Sequence, residues 1–374
     1  MFLKKNLQIN LVKFLKIFFI IIILFLFLDV TVGKYIFKKY IVDDLVDIDV
    51  RKLSKRDDTY DHTLTENFNG IMGWGNKRYK FCTDNNGFRI NCKKKEKKLK
   101  NFDIGFIGDS FTEGTGLEYE KTFVGIIEKE LSNKQIANLG LSSYSPAIYY
   151  TKIKKLLENG YKFNEIIVFI DISDLVDDTL CYKLNKTNIV LRKKTFNTCW
   201  NNINVKRNKF NNFFENNFMF SNLIFELIFK KNPIKKEEIQ NALNHSRSEW
   251  TYNYKKKNFN NLSFEEASSV SLGHMENLHS LLNSNSVKLS VAVYPWPGTL
   301  MFDKPENIHV DMWKNFCKNK CYKFYNFMPK FYEEISSNNF YKFYKKIFIE
   351  GDIHFDAYGS TILAKEFLLN YKKN

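Results

Sequence analysis

The chain has 374 residues, 44% of them apolar and 26% charged. That length exceeds one compact domain of ordinary size, and that balance excludes wholesale disorder. Lys and Arg outnumber Asp and Glu by 57 to 41, a net charge of +16, which raises nucleic acid, anionic lipid and acidic polysaccharide as partners. The Lys residues are spread along the chain and not gathered into a stripe, and the wealth of Lys, Asn, Phe, Ile and Tyr is what AT-rich coding produces. The charge therefore names no partner, and no nucleic-acid-binding module is recognised.

The amino terminus carries the clearest signal. Ile17 to Leu28 is an unbroken apolar run, extended by Phe14, Leu15 and Val30 to Gly33 to about twenty residues, enough to span a bilayer. Lys4, Lys5, Lys13 and Lys16 precede it. Basic residues stay on the cytoplasmic side, so the remainder is expected outside the cytoplasm. The expectation is a single-pass inner-membrane anchor (residues 1–33) with a periplasmic domain. The alternative is a cleaved signal peptide and secretion, for which Thr31-Val32-Gly33 is a poor cleavage site. Six cysteines fall into local pairs: Cys82 and Cys92, Cys181 and Cys199, Cys317 and Cys321. Local disulfides in an oxidising compartment are the simplest reading. No Cys-x-x-Cys or close His partner accompanies them, so no metal site is expected.

Residues 34–100 form an N-terminal extension without a strong period. Within it, Tyr79 to Ile90 reads as a hairpin around Asp84-Asn85-Asn86-Gly87, with Cys82 and Cys92 near its ends. Lys93 to Lys100 holds six Lys and reads as a solvated linker, with a patch resting on anionic lipid headgroups as the alternative. From Asn101 strands and helices alternate. Phe102 to Gly108 is a buried strand, Thr122 to Leu131 a helix, Ile136 to Leu139 a strand. Ser145-Pro146 opens a helix that Gly160 ends, with the Ser hydroxyl as its cap. Ile166 to Ile170 is apolar throughout, as a strand covered on both faces must be. Such repeats imply a parallel sheet between helices. Residues 179–262 interrupt the repeat as a mainly helical insertion, periodic at Phe218 to Lys230. The pattern resumes with a helix at Glu265 to Leu282, a strand at Val287 to Tyr294, a helix after Pro305, a strand at Lys323 to Phe327 and a helix from Ala357 to Leu369.

The first of these strands runs into Gly108-Asp109-Ser110-Phe111-Thr112-Glu113-Gly114. Ligands bind at the carboxyl ends of strands in open parallel sheets, so Ser110 is placed to present its hydroxyl there. A hydroxyl needs a base to become a nucleophile. The candidate lies in Gly351-Asp352-Ile353-His354-Phe355-Asp356: His354 accepts the Ser110 proton while Asp352 holds the imidazole, with Asp356 as a rival for that role. Gly108 to Gly114 lacks the Lys-Ser or Lys-Thr of a phosphate-binding loop. Trp296, in Pro295-Trp296-Pro297-Gly298 after a buried strand, is placed to stack on a sugar ring or wall an acyl pocket. His62, His274 and His279 read as structural, the last two being five apart on one helix.

Gly-Asp-Ser after the first strand and Asp-x-His before the last helix resemble the SGNH (GDSL-type) hydrolases over residues 102–178 and 287–369, about half the chain. The resemblance implies a flavodoxin-like, three-layer α/β/α fold. It also implies Ser110 as nucleophile, His354 as base and Asp352 as its partner. The family's second block is matched by Asn138-Leu139-Gly140, which would place the Gly140 N–H beside the Ser110 N–H in an oxyanion hole. The third block departs, with Asp171-Ile172-Ser173-Asp174 where the family has Gly-x-Asn-Asp, so Ser173 stands in for the oxyanion Asn. The last block, Asp-x-His rather than Asp-x-x-His, resembles variants among envelope acyltransferases and acyl esterases.

The resulting expectation is a membrane-anchored serine esterase. It would remove O-acyl groups, acetyl foremost, from an envelope glycan or related ester through an acyl-enzyme, with no cofactor and no nucleic acid. An O-acetyltransferase acting on an envelope polysaccharide shares the same triad. A degenerate glycan-binding or scaffold protein is the reading of another class, supported by Ser173.

Overall fold

The computed structural model describes residues 2–33, 50–75, 77–94, 99–196, 217–218, 220–221, 239–254, 259, 262–335 and 340–372. The chain forms two compact units, Met1–Asp47 with Asn204–Lys236, and Ile48–Ile203 with Glu237–Asn374.

The first unit is built on α1 (Phe2–Leu28), which continues into a wider turn at Asp29–Gly33. Val12–Gly33 is long and apolar enough to cross a membrane, since 22 residues at about 1.5 Å each exceed the roughly 30 Å hydrocarbon core. Its Phe and Ile side chains are exposed. Asp29, by contrast, is buried, and its carboxylate accepts the N–H groups of Phe220 (2.9 Å) and Ser221 (2.7 Å) and the Ser221 hydroxyl (2.6 Å). Those three donors offset the cost of burying the acid. The expected helix at Phe218 to Lys230 lies mostly outside the described residues.

The second unit begins with a small antiparallel pair, β1 (Ser54–Asp57) and β2 (Asp61–Leu64). Then come β3 (Asn69–Trp74), β4 (Lys77–Thr83) and β5 (Arg89–Ile90), which are antiparallel neighbours. The expected hairpin is therefore present as β4 and β5, with Thr83 opposite Arg89. Cys82 and Cys92 are bonded at its end, as are Cys317 and Cys321. Cys181 is also disulfide-bonded, while Cys199 lies outside the described residues.

The α/β repeat follows in the expected order. It comprises β6 (Asn101–Gly108), the short α2 (Ser110–Glu113), α3 (Phe123–Glu130), β7 (Ile136–Asn138), α4 (Pro146–Glu158) and β8 (Lys162–Ile170). After a second antiparallel pair, β9 (Tyr182–Leu184) and β10 (Val190–Arg192), come α5 (Phe264–Ser284) and β11 (Lys288–Val293). The chain ends with α6 (Ile308–Cys317), β12 (Lys323–Asn326), α7 (Met328–Glu334), α8 (Phe340–Ile347) and α9 (Ala357–Tyr371).

One eight-stranded sheet holds the order β12-β11-β8-β6-β7-β5-β4-β3. Its five parallel strands, counted along the chain from β6, run second, first, third, fourth, fifth. That is the flavodoxin-like order, whose crevice opens where the first and third strands part, between β6 and β8. Helix α4 packs on α5, and α3 on α9, so the sheet is the middle of three layers. Ile166 to Ile170 are wholly buried, as their unbroken apolar run requires. Phe169 is at the centre, its ring 4.6 Å from Phe123 and 5.8 Å from Phe106. Truncating it to Ala would cost about 3–5 kcal/mol.

One local expectation is corrected. The Ser145 hydroxyl does not cap α4 but donates to Asp178 Oδ1 at 2.6 Å, because a buried carboxylate is the stronger acceptor. The insertion opens with the β9–β10 pair. Strands β3 to β5 of the extension lengthen the sheet of the repeat.

Candidate active site

Ser110 stands at the first position of α2, immediately beyond the carboxyl end of β6. Asp109 caps that turn by accepting the Phe111 N–H at 3.0 Å. Gly108 must be glycine here, because a Cβ would lie 2.8 Å from the Phe169 carbonyl oxygen and closer still to Thr112. Arg89, buried in the extension, donates to the carbonyls of Glu113, Gly114 and Leu117 and so clamps the loop that follows Ser110.

His354 arrives on a tight loop before α9. Ile349 N–H donates to the His354 carbonyl (2.8 Å), Asp352 N–H donates to the Ile349 carbonyl (3.0 Å), and Gly351 takes a left-handed φ of 78° to close the turn. The His354 ring, buried against Phe111 at 4.8 Å between centroids, places Nε2 2.8 Å from Ser110 Oγ. Its Nδ1 bonds Asp352 Oδ1, and the same oxygen accepts the His354 backbone N–H at 2.9 Å. The two-residue spacing Asp-x-His therefore serves by folding the carboxylate back onto its own histidine. Asp356 does not share this role: it caps α9 and bonds Lys77 at 3.1 Å.

Charge tunes the pair. Burial would raise the Asp352 carboxyl, but the His354 charge and hydrogen bond, aided by the Trp74 N–H, outweigh it and hold it below its usual value. Burial would lower His354, yet the Asp352 charge and bond, and then Asp109 and Asp171, push it above the usual histidine value. Beneath Ser110 lie three buried carboxylates, Asp109, Asp171 and Asp174, whose oxygens come within 4.8 Å of one another. Such oxygens are metal-ligand atoms by type. Most of them are met by donors: Tyr294 bonds Asp171 (2.9 Å) and Asp109 (3.3 Å), Trp296 Nε1 bonds Asp171 (2.7 Å), and Tyr149 bonds Asp174 Oδ2 (2.8 Å), while Asp174 Oδ1 is buried without a partner. Burial and like charge push Asp109 and Asp174 well up, toward neutral acids.

A cavity of about 570 Å³ opens over Ser110, and Ser173, Trp296, Asp352 and His354 line it with Ser110. Gly140 does not line it. Its N–H donates to Asn138 Oδ1 at 3.0 Å, and it is glycine because a Cβ would lie 2.7 Å from the Glu113 nitrogen. The oxyanion expectation for Gly140 is thereby corrected: its donor is already engaged. Three residues further on, Ser143 lines the cavity in a left-handed conformation, φ 70°. Its neighbour Ser142 gives its N–H to Glu113 (2.9 Å) and accepts from His62 Nε2 at its carbonyl (2.9 Å), which pins the loop. Among the described residues no acceptor takes the Ser143 or Ser110 N–H. A non-glycine residue held at positive φ costs free energy and repays attention at a site, but no sequence pattern marks it. Trp296 is buried, with its N–H spent on Asp171 and its ring on Phe111 and His245, so it walls the cavity rather than facing its mouth.

The insertion supplies the wall that sequence reasoning missed. Asn241, His245, Ser246 and Arg247 line the cavity. Arg247 bonds Asp177, whose burial still raises its carboxyl to about 7 against the pull of that cation. His245 is driven down to about 4 by burial and the nearby Arg247 charge, so it stays neutral beside the cationic tendency of His354. His274 and His279, on α5, are half-buried and not among the cavity-lining residues.

No protein-family model matches the chain, and no curated protein matches it. Solved structures do show similarity. A member of the lipolytic G-D-S-L family from Veillonella parvula is 12% identical, with 73% of this chain and 99% of that one covered and a TM-score of 0.39. An acetylxylan esterase from Geobacillus stearothermophilus, crystallised as a catalytic mutant, is 10% identical over 73% and 95%, with a TM-score of 0.38. A psychrotrophic esterase from Pseudoalteromonas is 10% identical over 74% and 98%, with a TM-score of 0.36.

Proposed function

We propose that the protein is a membrane-anchored serine esterase of SGNH type that cleaves O-acyl groups, acetyl foremost, from a cell-envelope glycan. The observation that carries this is the continuous chain Asp352–His354–Ser110, with Nε2 2.8 Å from Oγ and Nδ1 on the carboxylate. His354 takes the Ser110 proton as Oγ attacks the ester carbonyl, and the imidazolium so formed is stabilised by Asp352. The tetrahedral oxyanion is received by the Ser110 and Ser143 N–H groups, with the Ser173 hydroxyl as a third donor in place of an amide. The imidazolium then protonates the departing sugar oxygen, leaving an acyl-Ser110. Water, deprotonated by His354, attacks that acyl group and restores the serine.

The membrane part of the reading rests on Val12–Gly33, on the Lys residues that precede it and on the disulfides, which fit a periplasmic domain held at the inner membrane. The substrate part follows from that location. The test is turnover of p-nitrophenyl acetate and of acetylated polysaccharide by the detergent-solubilised full chain. An initial burst equal to the enzyme concentration and free acetate as product are expected. Product that forms only when an acceptor sugar is added would assign the chain to acyl transfer, and no acyl-enzyme in a folded protein would leave binding as its role.

A further inference from the structure

We propose that Trp74, on β3 of the N-terminal extension, is a positioning residue for His354: its indole N–H fixes the second oxygen of Asp352 and thereby the plane of the carboxylate. The inference rests on the serine-esterase reading of the same site. Asp352 Oδ1 is fully engaged by His354, through Nδ1 and the backbone N–H. Oδ2 takes no part in that pairing, and the Asp352 side chain as a whole is 26% exposed. Trp74 Nε1 meets Oδ2 at 3.0 Å across 278 positions of sequence.

The chemistry gives this contact a purpose. The terminal torsion of an Asp side chain is broad and roughly two-fold. A carboxylate held at one oxygen can swing about it, and His354 swings with it. A donor on the other oxygen removes that freedom, and Trp has a single donor to give. The indole also stands edge-on to the imidazole, centroids 5.2 Å apart at 87°, and the Phe111 ring packs on the same imidazole at 4.8 Å. His354 is thus contacted by two aromatic rings as well as by its carboxylate. Gly116 (φ 82°) lies beside the indole, and a Cβ there would run into Ile349 at 2.3 Å while only touching Trp74 at 3.7 Å. Loss of a fixed orientation at a proton-transfer pair lowers kcat while leaving ground-state binding alone.

The test uses the full chain in detergent micelles with ¹⁵N-histidine, His354 being assigned by comparison with His354→Ala. Two changes are made at Trp74: Trp74→Phe, and site-specific replacement by benzothienylalanine, which keeps the bicyclic shape but has sulfur where the N–H was. Expected for both is a kcat lowered about tenfold with KM within about twofold. The His354 titration should move to higher pH, because a carboxylate deprived of a donor is more basic and holds the imidazolium more tightly. A His354 titration unmoved in the benzothienylalanine protein overturns the proposal whatever the rate does. A rise in KM with kcat and titration unchanged also overturns it, making Trp74 a substrate platform. Because the titration is read without turnover, a wild-type chain with no esterase activity would sink the esterase reading and still report whether Trp74 is coupled to His354.

Discussion

Strands β6 and β8 belong to the parallel part of the sheet, and Ser110 and Ser173 follow directly from their carboxyl ends. Strand β3 lies at the antiparallel margin of the same sheet, and from it Trp74 reaches Asp352. The two regions are built differently. The parallel part is held by unbroken apolar strands such as Ile166 to Ile170, buried on both faces, so the strand ends that carry Ser110 and Ser173 are set by the sheet. The margin and the 239–254 segment hold position through polar contacts: Arg89 on three carbonyls, Arg247 on Asp177, Trp74 on Asp352. Ser110 and Ser173 thus come from the core, while polar contacts around them and much of the cavity wall come from its additions.

That division can be broken at several points. The largest effect is expected in the core: Ser110→Ala should reduce ester turnover by at least about a thousandfold with the fold intact, checked by initial rates and circular dichroism. In the additions, Arg247→Met would leave Asp177 buried without its cation, at a cost of about 3–5 kcal/mol when ionised. Since Asp177 titrates near the neutral range, about 7 even with Arg247 present, the loss of melting temperature should be larger at pH 8.5 than at pH 5.5. An equal loss at both would show that the cation is not what holds the segment.

Smaller effects sharpen the assignment of donors. Ser173→Ala should lower kcat about a hundredfold if its hydroxyl meets the oxyanion. Ser143→Gly keeps the N–H and suits a φ of 70°, so its kcat should stay within about twofold. The mildest expectation concerns pH. His354 must be neutral to act as base, and its value lies above the usual histidine figure, so kcat/KM should rise with pH through a midpoint above about 6.5. Substituting Asp352 with Asn should move that midpoint down, because the charge that raises it is gone.

Legibility follows the same division. The order of the parallel strands and α3, α4, α5, α6 and α9 could be read from period and punctuation, because burial on both faces leaves a continuous apolar run and each helix a spaced one. Ser110, Asp352 and His354 stand at element ends that could be found in the sequence, and the structure brings their side chains within hydrogen-bond reach. Trp74 was not, since a contact spanning 278 positions leaves no local pattern. Nor was Ser143, whose left-handed φ is imposed by Glu113 and His62 on its neighbour. Gly140 is the glycine that follows the second parallel strand. The reason for it is the close approach of the Glu113 nitrogen. Helices α7 and α8 went unread because their aromatic and Lys-rich sequences resemble the rest of the chain. His245 and Arg247 were hidden in an insertion whose composition is equally uninformative.

The central claim is that His354 and Asp352 activate Ser110, and the most direct measurement is covalent. The full chain is treated with a fluorophosphonate, and the adduct is located by peptide mass spectrometry in wild type, Ser110→Ala and His354→Ala. One phosphonate on Ser110 in the wild type, none in Ser110→Ala and a labelling rate at least about a hundredfold lower in His354→Ala are expected. A folded wild-type protein that takes no label, or takes it at the same rate without His354, would contradict the account.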